Sequence, residues 1–406
     1  MKKIFKSLFI LSSLILVIGL VTNSCSQVEK LPYAVLKDST LTFYYDDKKP
    51  QGAYDVEKFN KKNFVLRDSF EVKEWYPARE EISTVIFDES FKKYRPNSCK
   101  SWFFVCENLK QIIGMKENLN TDNVTNMNNM FCFCTNLSNL DVSGFNTENV
   151  TDMGEMFHRC QKLTTLDVSK FKTDNVTDMN GMFLWCNNLT SLDVSGFNTE
   201  NVTDMSEMFQ NCNKLTSLDV SGFKTENVKD MSKMFFSCFN LTDLNVSGFN
   251  TKKVTDMEMM FCDCSSLINL DVSGFNTENV TDLSRMFCGC ENLISLDVSM
   301  FNTDNVNEVM FMFSYCSSLT NLDISRFNTK KVTEMNGMFS HCSNLKSIYV
   351  GDGWNTSNVT DSESMFEDCP QLIGGQGTIF DPSAIDISRA HIDGGSANPG
   401  YLTKKE

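Results

Sequence analysis

The sequence is poor in histidine and proline, with three and seven of them in 406 residues. So few imidazoles leave little basis for a His-rich metal enzyme. Basic residues are also in deficit: 37 Lys and Arg stand against 52 Asp and Glu, a formal net charge of −15. A chain of that sign repels phosphate backbones, so nucleic acid is not an expected partner. After Val21 there is no run of about 18 apolar residues, so no later segment is expected to span a membrane. What is plentiful is narrow in kind: 33 Phe, 22 Met and 16 Cys. Such a skew points to one short segment copied many times.

The chain opens with Lys2, Lys3 and Lys6, then a 14-residue apolar run from Leu8 to Val21. That is shorter than the roughly 20 residues of a membrane span and fits a secretory signal. An uncleaved anchor is the competing reading. Thr22-Asn23-Ser24-Cys25 follow directly. A small residue before a Cys at this place resembles a bacterial lipoprotein lipobox, although Thr22 stands where that pattern has an aliphatic residue. The resemblance implies cleavage before Cys25 and a diacylglycerol on its thiol. More than one acyl chain then gives stable anchoring.

The body repeats every 26 residues. Met-Phe pairs run from Met130-Phe131 through Met156-Phe157 to Met338-Phe339 in equal steps, and the last, Met365-Phe366, follows after 27. A Cys stands three residues after each Phe, from Cys134 to Cys369. The unit reads L-D-V-S-x-F-N-T-x-N-V-T-D-M-x-x-M-F-x-x-C-x-x-L-x-x. One coil cannot bury its own apolar face, but stacked coils can. In Leu192-Asp193-Val194-Ser195, Leu192 and Val194 alternate as a strand does. Val202, Met205, Met208-Phe209 and Cys212 are spaced by threes and fours, a helical or 3-10 spacing. The expected fold is an α/β repeat solenoid on the leucine-rich-repeat plan. Each 26-residue coil would carry one short parallel strand and one helical or 3-10 turn. Met, Phe and Cys at fixed phase read as core ladders.

Flanking segments imitate or break the pattern. Ile82 to Phe87 copies the strand, and Trp102-Phe103 with Cys106 copies Met-Phe-x-x-Cys at an irregular step, as an end coil should. Leu41 to Tyr45 is a further strand candidate, and Pro370 and Gly374-Gly375 end the pattern. The chain thus divides into a signal peptide (1–24), an anchored segment and leader (25–78), a capping coil (79–120), the array (121–373) and a tail (374–406).

The repeat resembles that of the BspA-like leucine-rich-repeat surface proteins of bacteria. The leader Leu41-Thr42-Phe43-Tyr44-Tyr45-Asp46 is similar to that family too, as are the tail segments Ile392-Asp393-Gly394-Gly395 and Asn398-Pro399-Gly400-Tyr401. The match covers roughly residues 33 to 403. It implies a lipoprotein or secreted protein of the bacterial cell surface, with host or bacterial surface proteins or glycans as partners. The family motif assigns no binding residue.

Most candidates for chemistry read as ladders. Ten cysteines share one phase and are expected to be reduced and buried. Cys132, Cys262 and Cys288 are extra; Cys262 and Cys288 share a phase in adjacent coils and are the candidate disulfide. C-x-C without a second matched pair or a His is not a zinc spacing, so no metal is expected. His158, His341 and His391 are scattered and accompany no nucleophile, so no catalytic residue is assigned. The Asp of L-D-V-S could stack around Ca²⁺, but Asn245 replaces it once; bonding to nearby backbone N–H groups is the favoured reading. No cofactor is expected. The variable slots around Met-Phe and Cys hold Trp185, Phe236, Phe239 and Tyr315, the candidate ligand contacts. Packing of these rings between coils is the alternative. The expected function is non-catalytic adhesion or protein interaction at the cell surface; the alternative is a structural envelope spacer without a specific ligand.

Overall fold

The computed structural model describes residues 30–64 and 67–405. The signal segment and Cys25 lie outside the described residues.

Successive repeat units stack in parallel. One unbroken row of bridges joins Ser98, Asn126, Asp152, Asp178, Asp204, Asp230, Asp256, Asp282, Glu308, Glu334 and Asp361. The row passes through T-D-M, so the segment expected to be helical carries the sheet-like contact. Its backbone bonds follow an alternating rule. In the coil at 153–160, Met153, Glu155, Phe157 and Arg159 donate to carbonyls of the next coil. Gly154 donates to Asp152 Oδ1, while Met156, His158 and Cys160 donate three residues back within their own coil. Every N–H from Met153 to Cys160 is therefore paired, half of them across the stack.

This corrects the expected helical or 3-10 turn. The i to i−3 bonds exist, but Glu155 and Arg159 take φ of +50° and +58°, and the equivalent residues of other coils do likewise. A left-handed residue before Met and another before Cys break any helix. Among the described residues of 121–373 there is no helix. The strand expectation holds in part. L-D-V-S or its equivalent forms β-structure at Ser217–Leu218 with Asp243–Leu244 and at Asn321–Ile324 with Ser347–Val350, both parallel. With or without a strand, its Asp accepts from the N–H two residues on, as Asp141 does from Ser143 and Asp323 does from Ser325. That is the backbone role expected for it.

The core is a set of columns. Eleven rings from Phe103 to Phe366 stack one per coil; Phe183–Phe209 and Phe209–Phe235 are each 5.8 Å apart, with planes within 10°. Beside them each Cys thiol donates to the carbonyl of the preceding coil's Phe, as Cys186 Sγ does to Phe157 at 3.1 Å. A third column uses the Thr of N-T. Thr225 Oγ1 accepts from Asn250 N and donates to Asn250 O, closing both backbone groups of one residue.

Both ends of the ring column are closed. At the first end, Phe43 stacks on Phe87 at 4.8 Å and on Trp102 at 5.4 Å, and Phe103 passes the stack on to Phe131. Phe43 lies on a strand, Thr40–Tyr44, paired in parallel with Thr84–Phe87, so leader and capping coil share one sheet. At the other end Tyr401 meets Phe366 edge-on at 5.2 Å. The tail strand Leu402–Lys404 pairs in parallel with Ser347–Val350. Gly400 must be glycine there, since a Cβ would run into the His391 carbonyl oxygen.

Candidate functional site: two pockets on one face

The two left-handed slots of each coil decide which side chains face outward. Glycine and asparagine bear such a conformation most easily, and Gly181, Gly289, Gly337, Asn129 and Asn211 occupy these slots. Elsewhere the same slots hold Phe133 at φ +61°, Trp185 at +59°, Phe311 at +53° and Tyr315 at +58°. A bulky ring held at positive φ costs about 1 kcal/mol that glycine would not.

These rings line two pockets. The first, about 500 Å³, is bounded by Phe104, Phe133, His158, Arg159, Trp185 and Gln210. The Arg159 guanidinium sits 5.0 Å from the Phe133 ring and 4.8 Å from Trp185, a cation–π clasp. Arg159 Nε and Gln210 Oε1 are buried without a hydrogen-bond partner among the described residues. The second pocket, about 420 Å³, is bounded by Arg285, Cys288, Phe311, Tyr315, Asn336 and His341. Tyr315 stacks on His341 at 4.2 Å, and Arg285 lies 5.1 Å from Phe311. Trp185 and Tyr315 hold the same repeat phase five coils apart, roughly 25–30 Å along the stack.

Of the four candidate contacts, Trp185 and Tyr315 thus reach a pocket. Phe239 is exposed and Phe236 half-buried, and neither lines these two. Every described cysteine is a free thiol. Cys262 and Cys288 are hydrogen-bonded neighbours in adjacent coils. The bond from Cys262 holds the Cys288 thiol below the usual range, and the same bond, with burial, pushes Cys262 up.

A cluster that spacing along one coil did not reveal borders the first pocket. Cys132, one coil earlier, shares its repeat phase with His158, and Glu155 precedes His158 by three. Cys132 Sγ lies 3.6 Å from His158 Nδ1 and 3.8 Å from Glu155 Oε2, and His158 Nδ1 lies 2.8 Å from Glu155 Oε2. Both neighbours meet the same ring nitrogen. A nucleophilic triad needs the acid on one nitrogen and the thiol on the other, so this is not one. Burial also pushes the Cys132 thiol well above its usual range.

The carboxylates of the bridge row stand close behind this face. Burial, then Asp152 and Asp204, push Asp178 up to about 6, and burial followed by Asp230 and Asp282 raises Asp256. A carboxyl whose folded pKa is raised stabilises the fold below its unfolded pKa, and that contribution is lost as pH rises through the folded value. The array should therefore melt at a higher temperature at about pH 5 than at about pH 8. Asp178→Asn should raise the melting temperature at the higher pH and flatten the slope between. Below about pH 4 the L-D-V-S aspartates Asp141, Asp167, Asp219 and Asp271, held low by their Ser partners, reverse the trend.

No helix among the described residues is long and apolar enough to cross a membrane. No curated protein matches the chain. Among solved structures, a leucine-rich repeat protein from Eubacterium ventriosum is 17% identical over 93% of this chain and 95% of its own, with a TM-score of 0.38. A chain of the TLR13–ssRNA13 complex is 14% identical over 73% of this chain, which spans 50% of its length, with a TM-score of 0.24. One family description, "Mycoplasma protein of unknown function, DUF285", matches three times, over residues 97–192, 185–295 and 264–375. Those matches span well over half of the sequence, and the chain belongs to the DUF285 family.

Proposed function

We propose that this chain is a lipid-anchored bacterial surface protein of the BspA-like kind. Its leucine-rich-repeat solenoid would act as a non-catalytic adhesion or interaction module toward surface proteins or glycans. One observation carries this reading: bulky aromatics occupy left-handed positions where glycine is easier, and they gather into two pockets on one face. Strain of this kind is kept where it serves binding. Two pockets on one rigid stack suit an extended partner, since the second contact forms at high effective concentration once the first is made. The arginines clasped by rings favour ligands that offer anionic groups or planar faces.

The test is binding of the purified chain to a panel of extracellular matrix proteins and cell-surface glycans. Trp185→Gly should weaken capture by roughly 30-fold or more, as loss of a central aromatic anchor does. Stability should stay within about 1 kcal/mol, because glycine relieves the positive φ. Saturable binding that survives Trp185→Gly and Tyr315→Gly alike would place the contacts elsewhere. No saturable binding at all would favour an envelope spacer. Protease shaving of intact cells, comparing wild type with Cys25→Ser, tests the anchor separately.

A further inference from the structure

We propose that Cys132, Glu155 and His158 form a zinc-binding site with one open coordination position facing the Trp185 pocket. The three donor atoms lie within 4.8 Å of one another. A tetrahedral zinc with bonds of about 2.3 Å to sulfur and about 2.0–2.1 Å to nitrogen or oxygen places sulfur about 3.5 Å from its neighbours and nitrogen about 3.3 Å from oxygen. The observed separations are 3.6 and 3.8 Å for sulfur and 2.8 Å for nitrogen to oxygen. Only the last must open, by about half an ångström, as a hydrogen bond gives way to two metal bonds.

Convergence on one point distinguishes the cluster from catalytic and purely structural arrangements. Glu155 and Cys132 share the Nδ1 side of the ring, where a metal would sit, and leave Nε2 outside the cluster. The donors come from two coils locked together by backbone bonds; Phe133 N donates to His158 O at 2.7 Å, and Phe131 N donates to Met156 O at 2.9 Å. The site is thus held in place before any metal arrives. The donor set of sulfur, nitrogen and carboxylate oxygen selects zinc over Ca²⁺ or Mg²⁺, which need oxygen cages. Metal binding releases the Cys132 thiol proton to solvent and frees His158 Nδ1, the neutral ring keeping its proton on Nε2, with no change of oxidation state. Thiolate and carboxylate then balance the charge of the ion, and Arg159 remains as the local cation. Three protein ligands leave a fourth position for water or for an anionic group of a bound partner.

The full chain should bind one equivalent of Zn²⁺. Co²⁺ in its place should give the intense near-ultraviolet band of a thiolate-to-metal charge transfer. Cys132→Ser should abolish that band, and His158→Gln should weaken metal affinity on the order of 100-fold. Zn²⁺ should raise the melting temperature of the wild type and of neither variant. His158 is partly exposed, so His158→Gln reads the site even if Cys132→Ser disturbs the core. Absence of the cobalt band from the wild type would overturn the assignment. So would a band that survives His158→Gln and disappears in Cys262→Ser.

Discussion

Phe209→Ala is expected to lower the free energy of unfolding by about 3–5 kcal/mol. The ring is fully buried and touches a ring on each side at 5.8 Å. Truncation opens a cavity that the neighbours cannot fill. Phe183 and Phe235 are each held by a backbone bond to the following coil, Phe183 N to Met208 O and Phe235 N to Met260 O, both 3.0 Å. Collapse into the void would break that ladder. The loss should read out as a lower midpoint in urea, and proteolysis should begin near the altered coil. A change below about 1 kcal/mol would mean that the column is far softer than its spacing implies.

Asp393→Ala is the second large effect, and it acts through the tail. The carboxylate is buried and accepts from Gln376 N, Thr378 N, Thr378 Oγ1, Gly395 N and Gly400 N. Burial alone would raise its pKa, but these donors outweigh it and hold the carboxyl far below the usual range. Alanine leaves four backbone N–H groups stranded, at about 1–3 kcal/mol each where water cannot reach them, so a loss of roughly 4 kcal/mol or more is expected. The tail should then detach from Phe366. Trp354, whose Nε1 donates to Ala390 O at 2.9 Å, reports this by fluorescence. Unchanged fluorescence and unchanged protease resistance of the tail would contradict this role. Asp393→Asn should fall between, because an amide accepts but also presents donors where only acceptors fit.

The period made the columns legible, because a phase repeated ten times needs no knowledge of the backbone between. Phase and residue type alone place Phe209 and Cys212 in the core; the buried Thr225 column is visible only in the fold. The path of the Met-Phe segment was not legible in the same way. Spacings of three and four arise from helices, and here they arise from local bonds alternating with inter-coil bonds around two left-handed residues. The signal was the recurrence of Gly181, Gly289, Gly337, Asn129 and Asn211 in these shared slots, residue types that bear a positive φ most easily. The Cys132, Glu155 and His158 cluster escaped because its members neighbour one another across coils, and single-coil spacing cannot see that. The tail resemblance marked Asp393, but only the fold gives its carboxylate five donors.

Each coil presents to its neighbour the same bonds it receives, so a whole unit can be duplicated or deleted without a new junction having to be solved. The Trp185 and Tyr315 pockets stand on that stack five units apart. Every unit gained moves them apart by about 5 Å and leaves the chemistry of both untouched. Pocket spacing and pocket chemistry can therefore change separately: gain or loss of whole units alters the first, and substitution at the left-handed slots alters the second. Chains that differ only in copy number would carry the same pair of pockets on rulers of different length.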